Sequence, residues 1–419
     1  MRRAVLLAGG ALIAGVFVFS RHGQTDTSEP AAVKAAPAAM PGAMINGTPL
    51  VEAPKTAPAP AQPTVDLDRI ERVGDHYEAP LSNGKRAVLT LDPVLQEQAE
   101  KLLDQARAPR GAIVAMAPDG RILALAGRRT EEPKGGTKGI ADWHLATEVW
   151  APAASVFKLV TASALVEAGV APEDKVCYHG GIRSVTESNL RDDKRDNVCQ
   201  TLTYGVAHSN NAILGKLAYQ KLEPSALDSV AHDLVGTAMP ASLGVKATGS
   251  ELSLPHDKNL AFAQSAAGFQ GARLSVLGGA LLAATFADGG EQPVPRLIAD
   301  EQPSTRHVLP ADVAKAVSRM MIGTCEFGSA AKSFGKKQSV AGKTGTLATS
   351  EPFYMEHSWF VGYAPADKPE IIVSVLLGNP ENWHLRGHEA AKRMIDLAVH
   401  RSTDHAAARS PAPAGNAVR

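Results

Sequence analysis

Apolar and polar positions along the chain predict two β-hairpins, each accompanied by an amphipathic helix. The segment VLQEQAEKLLDQA carries apolar residues on one helical face and follows an Asp-Pro pair at 92–93, which is typical of a helix start. Two apolar runs then flank Pro118-Asp119-Gly120, a strong turn signal. A second pair of runs, at 359–363 and 371–377, precedes the helical pattern GHEAAKRMIDLAVHR. Both ends of the folded region are therefore expected to contribute antiparallel strands and a flanking helix.

The stretch between the two hairpins, about residues 150–332, shows mainly helical periodicity and loops. A shorter segment, 65–91, has the pattern of a small strand or hairpin. Strands from both ends of a domain with a helical region inserted between them make an α+β arrangement. We therefore assign residues 92–400 to one domain, with a helical subdomain at about 150–332. We expect residues 401–419 to be disordered.

The N-terminal residues differ in composition from the rest. Residues 4–20 are uncharged and mostly apolar after two arginines, and about 17 residues of helix measure roughly 26 Å, just enough to cross a bilayer core. The lack of a small-residue cleavage pattern favours an uncleaved anchor at 1–20, with a cleaved signal segment as the alternative. Residues 21–64 are rich in Ala and Pro and predict a flexible linker. We expect a single-pass protein of the cell inner membrane whose folded domain is periplasmic.

Charge and cysteine content narrow the range of partners. Lys plus Arg and Asp plus Glu both number 43, so no positive excess indicates a nucleic-acid partner. Cys177 and Cys199 are close enough in sequence to close a loop in an oxidising compartment. His384 and His388 have helical spacing, but Leu385 stands where a zinc-protease helix needs Glu. We expect no metal and no other cofactor.

The segment SVAGKTGTLATS contains Gly342, Lys343 and Thr344, which raises the question of a phosphate-binding loop. That motif requires a glycine at position 337, where lysine stands, and a helix directly afterwards. The glycine and β-branched residues that follow disfavour a helix. We therefore reject a nucleotide-binding loop.

Two further segments carry candidate chemistry. Ser155 and Lys158 are one turn apart at an expected helix start, where a neutral lysine accepts a serine proton. Desolvation and a second cation, for which Lys343 is a candidate, are the usual means of lowering a lysine pKa far enough. Ser209 and Asn211 precede an apolar helix and, taken alone, are more simply explained as N-cap residues.

The order Ser-x-x-Lys, Ser-x-Asn, Lys-Thr-Gly resembles the motif set of penicillin-binding proteins and serine β-lactamases. The similarity runs from LTLDPVLQEQAE through GAIVAMAPDGRILAL and AGKTGT to SWFVGYAPADKPEIIVSVLL. The chain thus resembles a penicillin-binding-protein transpeptidase domain. The resemblance implies a transpeptidase and β-lactamase-like fold, with a five-stranded antiparallel sheet flanked by helices and an all-α subdomain.

The resemblance also implies roles for the first two motifs. Ser155 would be the acylated nucleophile and Lys158 its base. Ser209 would relay protons to the leaving group, and Asn211 would hold the amide of the substrate. These four residues are the expected catalytic set, together with Lys343 of the third motif.

The third motif would form the strand that edges the pocket. Lys343 and Thr344 would meet the carboxylate of a D-Ala-D-Ala terminus or of a β-lactam. Gly345 would permit close approach of the ligand because it lacks a Cβ atom. The main-chain amides of Thr346 and Ser155 would form the oxyanion hole.

Departures from the family pattern shape the functional expectation. Ala153 and Ala154 precede the nucleophile where the family commonly has Pro-Gly, and the segment before Val65 is too short for a glycosyltransferase domain. We expect a membrane-anchored peptidoglycan D,D-transpeptidase or D,D-carboxypeptidase that uses a serine acyl-enzyme. Its expected partners are peptidoglycan stem peptides, β-lactams, the cytoplasmic membrane and proteins of cell-wall synthesis.

Two other function classes stay open. A β-lactamase of one class would need a Glu-x-x-Leu-Asn segment, which ELSLP at 251–255 matches except that Pro255 replaces the asparagine. A non-catalytic penicillin-binding sensor or scaffold would bind in the same pocket without turnover.

Overall fold

A six-stranded antiparallel sheet lies at the centre of the folded region. The computed structural model describes residues 62–130, 132–336 and 339–409, with side chains as far as residue 402. The expected anchor at 1–20 and nearly all of the expected linker at 21–64 lie outside these residues. Among the helices that are described, none combines the length and the apolar composition needed to span a bilayer.

The folded region has strands near both of its ends and most of its helices between them, and a long helix follows the last strand. In chain order, the described strands are β1 Glu71–Val73, β2 His76–Pro80, β3 Arg86–Val88, β4 Arg110–Met116, β5 Ile122–Arg129, β6 Ile140–Ala141, β7 Ala151–Pro152, β8 Lys175–Tyr178, β9 Val198–Thr201, β10 Ser250–Leu252, β11 Ala272–Leu274, β12 Glu291–Pro293, β13 Thr305–His307, β14 Ala341–Thr349, β15 Met355–Ala364 and β16 Ile371–Asn379. The described α-helices are α1 Pro93–Ala106, α2 His144–Thr147, α3 Lys158–Glu167, α4 Leu202–Ala207, α5 Asn211–Lys221, α6 Pro224–Val235, α7 Leu260–Ala266, α8 Val276–Ala287, α9 Ala311–Glu326 and α10 Gly387–Arg409.

The central sheet has the order β14-β15-β16-β4-β5-β6, and every neighbouring pair is antiparallel. Both hairpins expected from the hydrophobic pattern are confirmed as β4–β5 and β15–β16. The five long strands match the expected five-stranded sheet, and the two-residue β6 adds a short sixth strand at the edge. The fold therefore confirms the α+β arrangement, with the Lys-Thr-Gly strand β14 at the opposite edge.

Both faces of the sheet are buried, which explains why its strands are continuous apolar runs rather than alternating ones. On β16, Ile372 and Leu376 join the core shared with the helical subdomain. The neighbouring Val373 and Val375 belong to a second core together with residues of α1 and α10. The helical subdomain is therefore fixed on one face of the sheet and the terminal helices on the other.

Helix α1 begins as its sequence predicts. The Asp92 carboxylate accepts hydrogen bonds from the amides of Val94 and Leu95 at 2.9 and 3.0 Å, and a proline stands at the first turn. The preceding residues form a three-stranded sheet, β1-β2-β3, which extends the small hairpin expected at 65–91. Its last strand also accepts a hydrogen bond at Val88 from the amide of Ala299, at 2.9 Å.

The expectation of disorder from residue 401 onward is wrong for residues 401–409, because α10 continues to Arg409. No glycine or proline interrupts the helical sequence before Pro411, and alanine is the best helix former. Arg401 also pairs with Asp92 at 2.8 Å, which ties this part of α10 to the start of α1. Residues 410–419 lie outside the described part of the chain.

Candidate active site

Ser155 lies in a 3-10 turn, Ala154–Phe157, that leads directly into α3. The side chains of Val156 and Phe157 are fully buried and anchor the turn. Ala154 has a φ of 49°, in the left-handed region that costs an alanine about 1 kcal/mol. Gly268 is packed against this residue, and a Cβ atom on Gly268 would collide with the Ala154 carbonyl oxygen. The strained turn holds the Ser155 hydroxyl at the surface of a cleft.

Lys158 is fully buried one turn after Ser155. Its Nζ atom lies 2.7 Å from Ser155 Oγ, 2.7 Å from Asn211 Oδ1 and 2.6 Å from the Ala267 carbonyl oxygen. Burial, and then the positive charge of Lys343, hold the pKa of Lys158 well below its usual value. A neutral amine donates two hydrogens to Asn211 and Ala267 and offers its lone pair to the Ser155 hydroxyl. The arrangement equips Lys158 to act as a base.

The segment 209–211 combines a helix cap with two side chains directed at the cleft. Asn210 Oδ1 accepts a hydrogen bond from the Ile213 amide, so the helix cap is Asn210, which stands between the two residues that the sequence indicated as caps. Ser209 adopts a φ of 57° and lines the cleft. Asn211 receives the Lys158 bond on its oxygen and donates from Nδ2 to the Ile182 carbonyl oxygen at 2.7 Å. Asn211 therefore links the base to a loop that forms one wall of the cleft.

Lys343 lies behind the cleft surface rather than on it. Its Nζ atom donates to Ser209 Oγ at 3.0 Å and to the Thr344 carbonyl oxygen at 2.9 Å, and its side chain is fully buried. Burial lowers the pKa of Lys343 to about 7. Its charge acts on Lys158 and Ser209, whereas the sequence predicted a direct contact with a substrate carboxylate.

The remaining residues of the third motif follow on β14. Thr344 lines the cleft, and its Oγ1 atom is 2.6 Å from Ser329 Oγ. Thr346 is exposed and also lines the cleft. A Cβ atom on Gly345 would lie 3.3 Å from the backbone nitrogen of Val156, so the glycine allows the nucleophile turn to pack against β14. Gly345 therefore serves the packing of the site, and its expected role in the approach of a ligand stays a prediction.

The cleft has a volume of about 400 Å³ and brings three distant motifs together. Ser155, Ser209, Asn211, Thr344 and Thr346 line it, as the sequence predicted for a shared pocket. Sequence reasoning missed the eight other lining residues: Ile182, Arg183, Ala267, Gly268, Phe269, Ser329, Leu347 and Ala348. Leu347 and Ala348 continue β14 directly beyond the motif, a signal that was available in the sequence. The others come from loops that only the fold brings to the cleft.

A disulfide joins Cys177 to Cys199, which face each other on the paired strands β8 and β9. The loop that it closes carries Ile182 and Arg183 to the cleft. The bond confirms that these cysteines close a loop, and the third cysteine, Cys325, is buried and free.

Three weaker sequence signals receive structural explanations. Glu251 of the partial lactamase match pairs with Arg273 at 3.3 Å and is not one of the residues lining the cleft. His384 precedes α10 whereas His388 lies within it, so their helical spacing does not place them on one helix face. Gly342, Lys343 and Thr344 lie within strand β14, not at a helix start.

An antiparallel sheet joined to a helical subdomain, with Ser-x-x-Lys, Ser-x-Asn and Lys-Thr-Gly around one cleft, defines the serine D,D-peptidase and β-lactamase superfamily. Within this class, the sequence model for the penicillin binding protein transpeptidase domain matches residues 111–396. The chain belongs to the penicillin-binding protein transpeptidase family.

Named relatives agree with this assignment. Penicillin-binding protein PbpB of Mycolicibacterium smegmatis is 24% identical over 333 residues, which cover 71% of this chain and 51% of the relative. Peptidoglycan D,D-transpeptidase PbpA of Mycobacterium tuberculosis is 22% identical and is matched over 74% of this chain and 70% of its own length. The chain thus spans about half the length of the first of these relatives.

A solved structure shows the same fold. Penicillin-binding protein A from M. tuberculosis, in an imipenem acyl-enzyme complex, superposes with a TM-score of 0.61 and 21% identity, covering 74% of this chain and 79% of that one. At this level of identity the likeness establishes the fold.

Proposed function

We propose that the chain is a serine-type peptidoglycan D,D-transpeptidase that acts on stem peptides ending in D-Ala-D-Ala and is acylated by β-lactams. The observation that carries the proposal is the 2.7 Å contact between Lys158 Nζ and Ser155 Oγ at a fully buried lysine with a lowered pKa. The relative named peptidoglycan D,D-transpeptidase and the neighbour solved as an imipenem acyl-enzyme support the same chemistry.

Acylation begins at Ser155. Its Oγ attacks the carbonyl carbon of the penultimate D-Ala while its proton passes to Lys158 Nζ. We assign the stabilisation of the resulting oxyanion to the main-chain amides of Ser155 and Thr346. Collapse breaks the peptide C–N bond and leaves an ester on Ser155.

The leaving D-Ala amine needs a proton. Ser209 lines the cleft and receives a hydrogen bond from Lys343, so Ser209 supplies the proton and Lys343 replaces it. An acceptor amine then attacks the ester and gives up a proton, which returns through Ser209 to Lys343, while the ester bond breaks and Lys158 returns its proton to Ser155 Oγ. The protons taken from Ser155 and given to the leaving amine balance over the cycle.

Two alternatives share the acyl-enzyme. A D,D-carboxypeptidase would use water in place of the acceptor amine, and a β-lactamase would hydrolyse a drug-derived ester rapidly. Among the described residues lining the cleft there is no carboxylate to act as a base for water. This favours transfer to an amine and a long-lived β-lactam adduct.

Fluorescent penicillin tests the proposal. We expect covalent labelling of the protein at Ser155 that persists for many minutes, located by peptide mass mapping, and no labelling of Ser155→Ala. Rapid loss of label with release of hydrolysed drug would favour a lactamase. A folded protein without label would favour a sensor or scaffold. Incubation with a pentapeptide and an amine acceptor separates the transpeptidase from the carboxypeptidase by product mass.

We further propose that the chain is anchored in the inner membrane with its catalytic domain in the periplasm, where it works with proteins of cell-wall synthesis. Support comes from the apolar run at residues 4–20 and from the Cys177–Cys199 disulfide, since such bonds persist in oxidising compartments. Protease added to spheroplasts should digest the folded domain. Protection from protease in intact spheroplasts, with digestion only after lysis, would contradict this location.

A further inference from the structure

A second cavity adjoins the catalytic cleft. Its volume is about 670 Å³, and it shares Phe269, Leu347 and Ala348 with the cleft around Ser155. Leu347 and Ala348 lie on β14 just beyond the Lys-Thr-Gly motif. A ligand attached to Ser155 can therefore extend past the end of this motif into the second cavity.

Two arginines line the second cavity. Arg110, the first residue of β4, is half-buried and makes no ion pair or side-chain hydrogen bond with any described residue. Arg273 has one partner, Glu251 at 3.3 Å, and about half of each of these two side chains is exposed. An exposed ion pair of this kind contributes little to the free energy of unfolding. The Arg273 guanidinium therefore stays available to a ligand.

The two guanidinium groups act on the same part of the cavity. His357, which lines the cavity and is only 1% exposed, has its pKa lowered by burial and also by the charges of Arg273 and Arg110. Its Nδ1 atom is 3.1 Å from the Leu347 carbonyl oxygen, to which it donates as a neutral ring. The imidazole therefore adds no positive charge of its own.

The charges of the cavity favour an anion. Among the described residues that line the cavity, two arginines carry positive charge and one acidic residue, Glu351, carries negative charge. The catalytic cleft adds Arg183, which is exposed, and no described carboxylate. Guanidinium groups bind carboxylates through paired, charge-assisted hydrogen bonds.

We propose that this cavity is a subsite for a carboxylate of the donor peptide, held by Arg110 and Arg273 at some distance from the carbonyl that Ser155 attacks. The inference rests on the proposed acyl-transfer function and specifies its substrate. Donors with a free carboxylate on the side of the chain away from the leaving group should react faster than the same donors with a carboxamide.

Synthetic thioesters of N-acyl-D-alanine test the subsite, with acyl chains that end in either a carboxylate or a carboxamide. Ser155 Oγ forms the ester, the C–S bond breaks, and the released thiolate takes a proton, so thiol release measures acylation. We expect the wild-type protein to prefer the carboxylate donor by about tenfold at low salt. Arg110→Gln and the double variant with Arg273→Gln should lose most of this preference.

Controls separate this inference from the proposed function. Arg319→Gln removes the same charge from an exposed position of α9 and should leave the preference unchanged. Benzylpenicillin should acylate the wild type and Arg319→Gln at equal rates, which tests the acyl-transfer chemistry without a donor carboxylate in the second cavity. Arg110→Glu should shift the preference toward a donor that ends in an ammonium group.

The outcomes are distinct. No acylation of the wild-type protein by benzylpenicillin overturns the proposed function. Normal acylation by benzylpenicillin, together with equal rates for carboxylate and carboxamide donors, overturns the subsite alone. A preference that survives in both Arg110→Gln and the double variant also overturns it, since the carboxylate would then bind elsewhere.

Discussion

Lys343 Nζ and Ser209 Oγ are joined by a 3.0 Å hydrogen bond although the two residues are 134 positions apart in the sequence. Lys343 comes from the edge strand of the sheet and Ser209 from the turn before α5 in the helical subdomain. The bond therefore connects the two halves of the fold at the cleft. It also places a group with a pKa near 7 next to the expected proton donor.

The Lys343 pKa predicts opposite pH trends for activity and stability. The folded-state pKa of about 7 lies below the ordinary value of 10.5, so the unfolded chain binds more protons between these values. The free energy of unfolding should therefore rise with pH from about 7 to 10.5 on account of this group. Acylation should fall as pH rises through about 7, because Lys343 then loses the proton that supports Ser209.

Urea unfolding and stopped-flow acylation by benzylpenicillin, both measured across this pH range, check the prediction. In Lys343→Met, the free energy of unfolding should no longer show the increase with pH that Lys343 causes. This variant should also be acylated slowly at every pH. An acylation rate that still climbs steeply between pH 7 and 9 would show that the charge on Lys343 is not needed.

Removal of Lys158 should abolish acylation without unfolding the protein. Lys158→Met keeps the volume of the side chain but has no group to accept the Ser155 proton, so we expect the acylation rate to fall by about a thousandfold. The fold should be retained because methionine fills the space of the lysine, with some loss of stability from the missing hydrogen bonds to Asn211 and Ala267. Stopped-flow kinetics and far-UV circular dichroism measure the two effects. Near-normal acylation in this variant would move the role of base to another group.

The strained turn before Ser155 predicts contrasting effects of two small substitutions. Ala154→Gly relieves a positive φ and should change the free energy of unfolding by no more than about 1 kcal/mol, with acylation within about threefold of the wild type. Gly268→Ala should displace the turn, because its new Cβ atom meets the Ala154 carbonyl oxygen, and should slow acylation by about tenfold or more. Thermal unfolding and penicillin labelling compare the pair. Equal behaviour of the two variants would argue against a turn held by this contact.

Loss of the Cys177–Cys199 disulfide should affect both stability and the cleft. The bond closes a loop of 22 residues in sequence separation, for which chain entropy predicts about 3 kcal/mol of stabilisation. The same loop supplies the Ile182 carbonyl oxygen that holds Asn211, so acylation should also slow in the Cys177→Ser, Cys199→Ser variant. Comparison of the wild type with and without reductant provides the control. Unchanged unfolding and unchanged acylation would mean that the loop is held by its other contacts.

The sequence by itself determined the local elements and the chemical groups. The strands over 359–363 and 371–377, the helix after Asp92 and the hairpin at Pro118-Asp119-Gly120 follow from periodicity and turn chemistry, which depend on near neighbours only. The order of three short motifs indicated Ser155, Lys158, Ser209, Asn211 and the Lys-Thr-Gly strand as one site. The pattern GHEAAKRMIDLAVHR also predicted the C-terminal helix, whereas the pairing of Arg401 with Asp92 is a contact that the sequence does not show.

Only the tertiary structure decided which groups face the cleft and which lie behind it. Lys343 was expected on the surface and is buried against Ser209, while Arg183, Phe269 and Ser329 reach the cleft from loops with no motif of their own. Gly345 serves the packing of the nucleophile turn. The physical reason is that burial, pKa and access depend on long-range packing between the sheet and the helical subdomain, whereas sequence patterns report only what each segment favours locally.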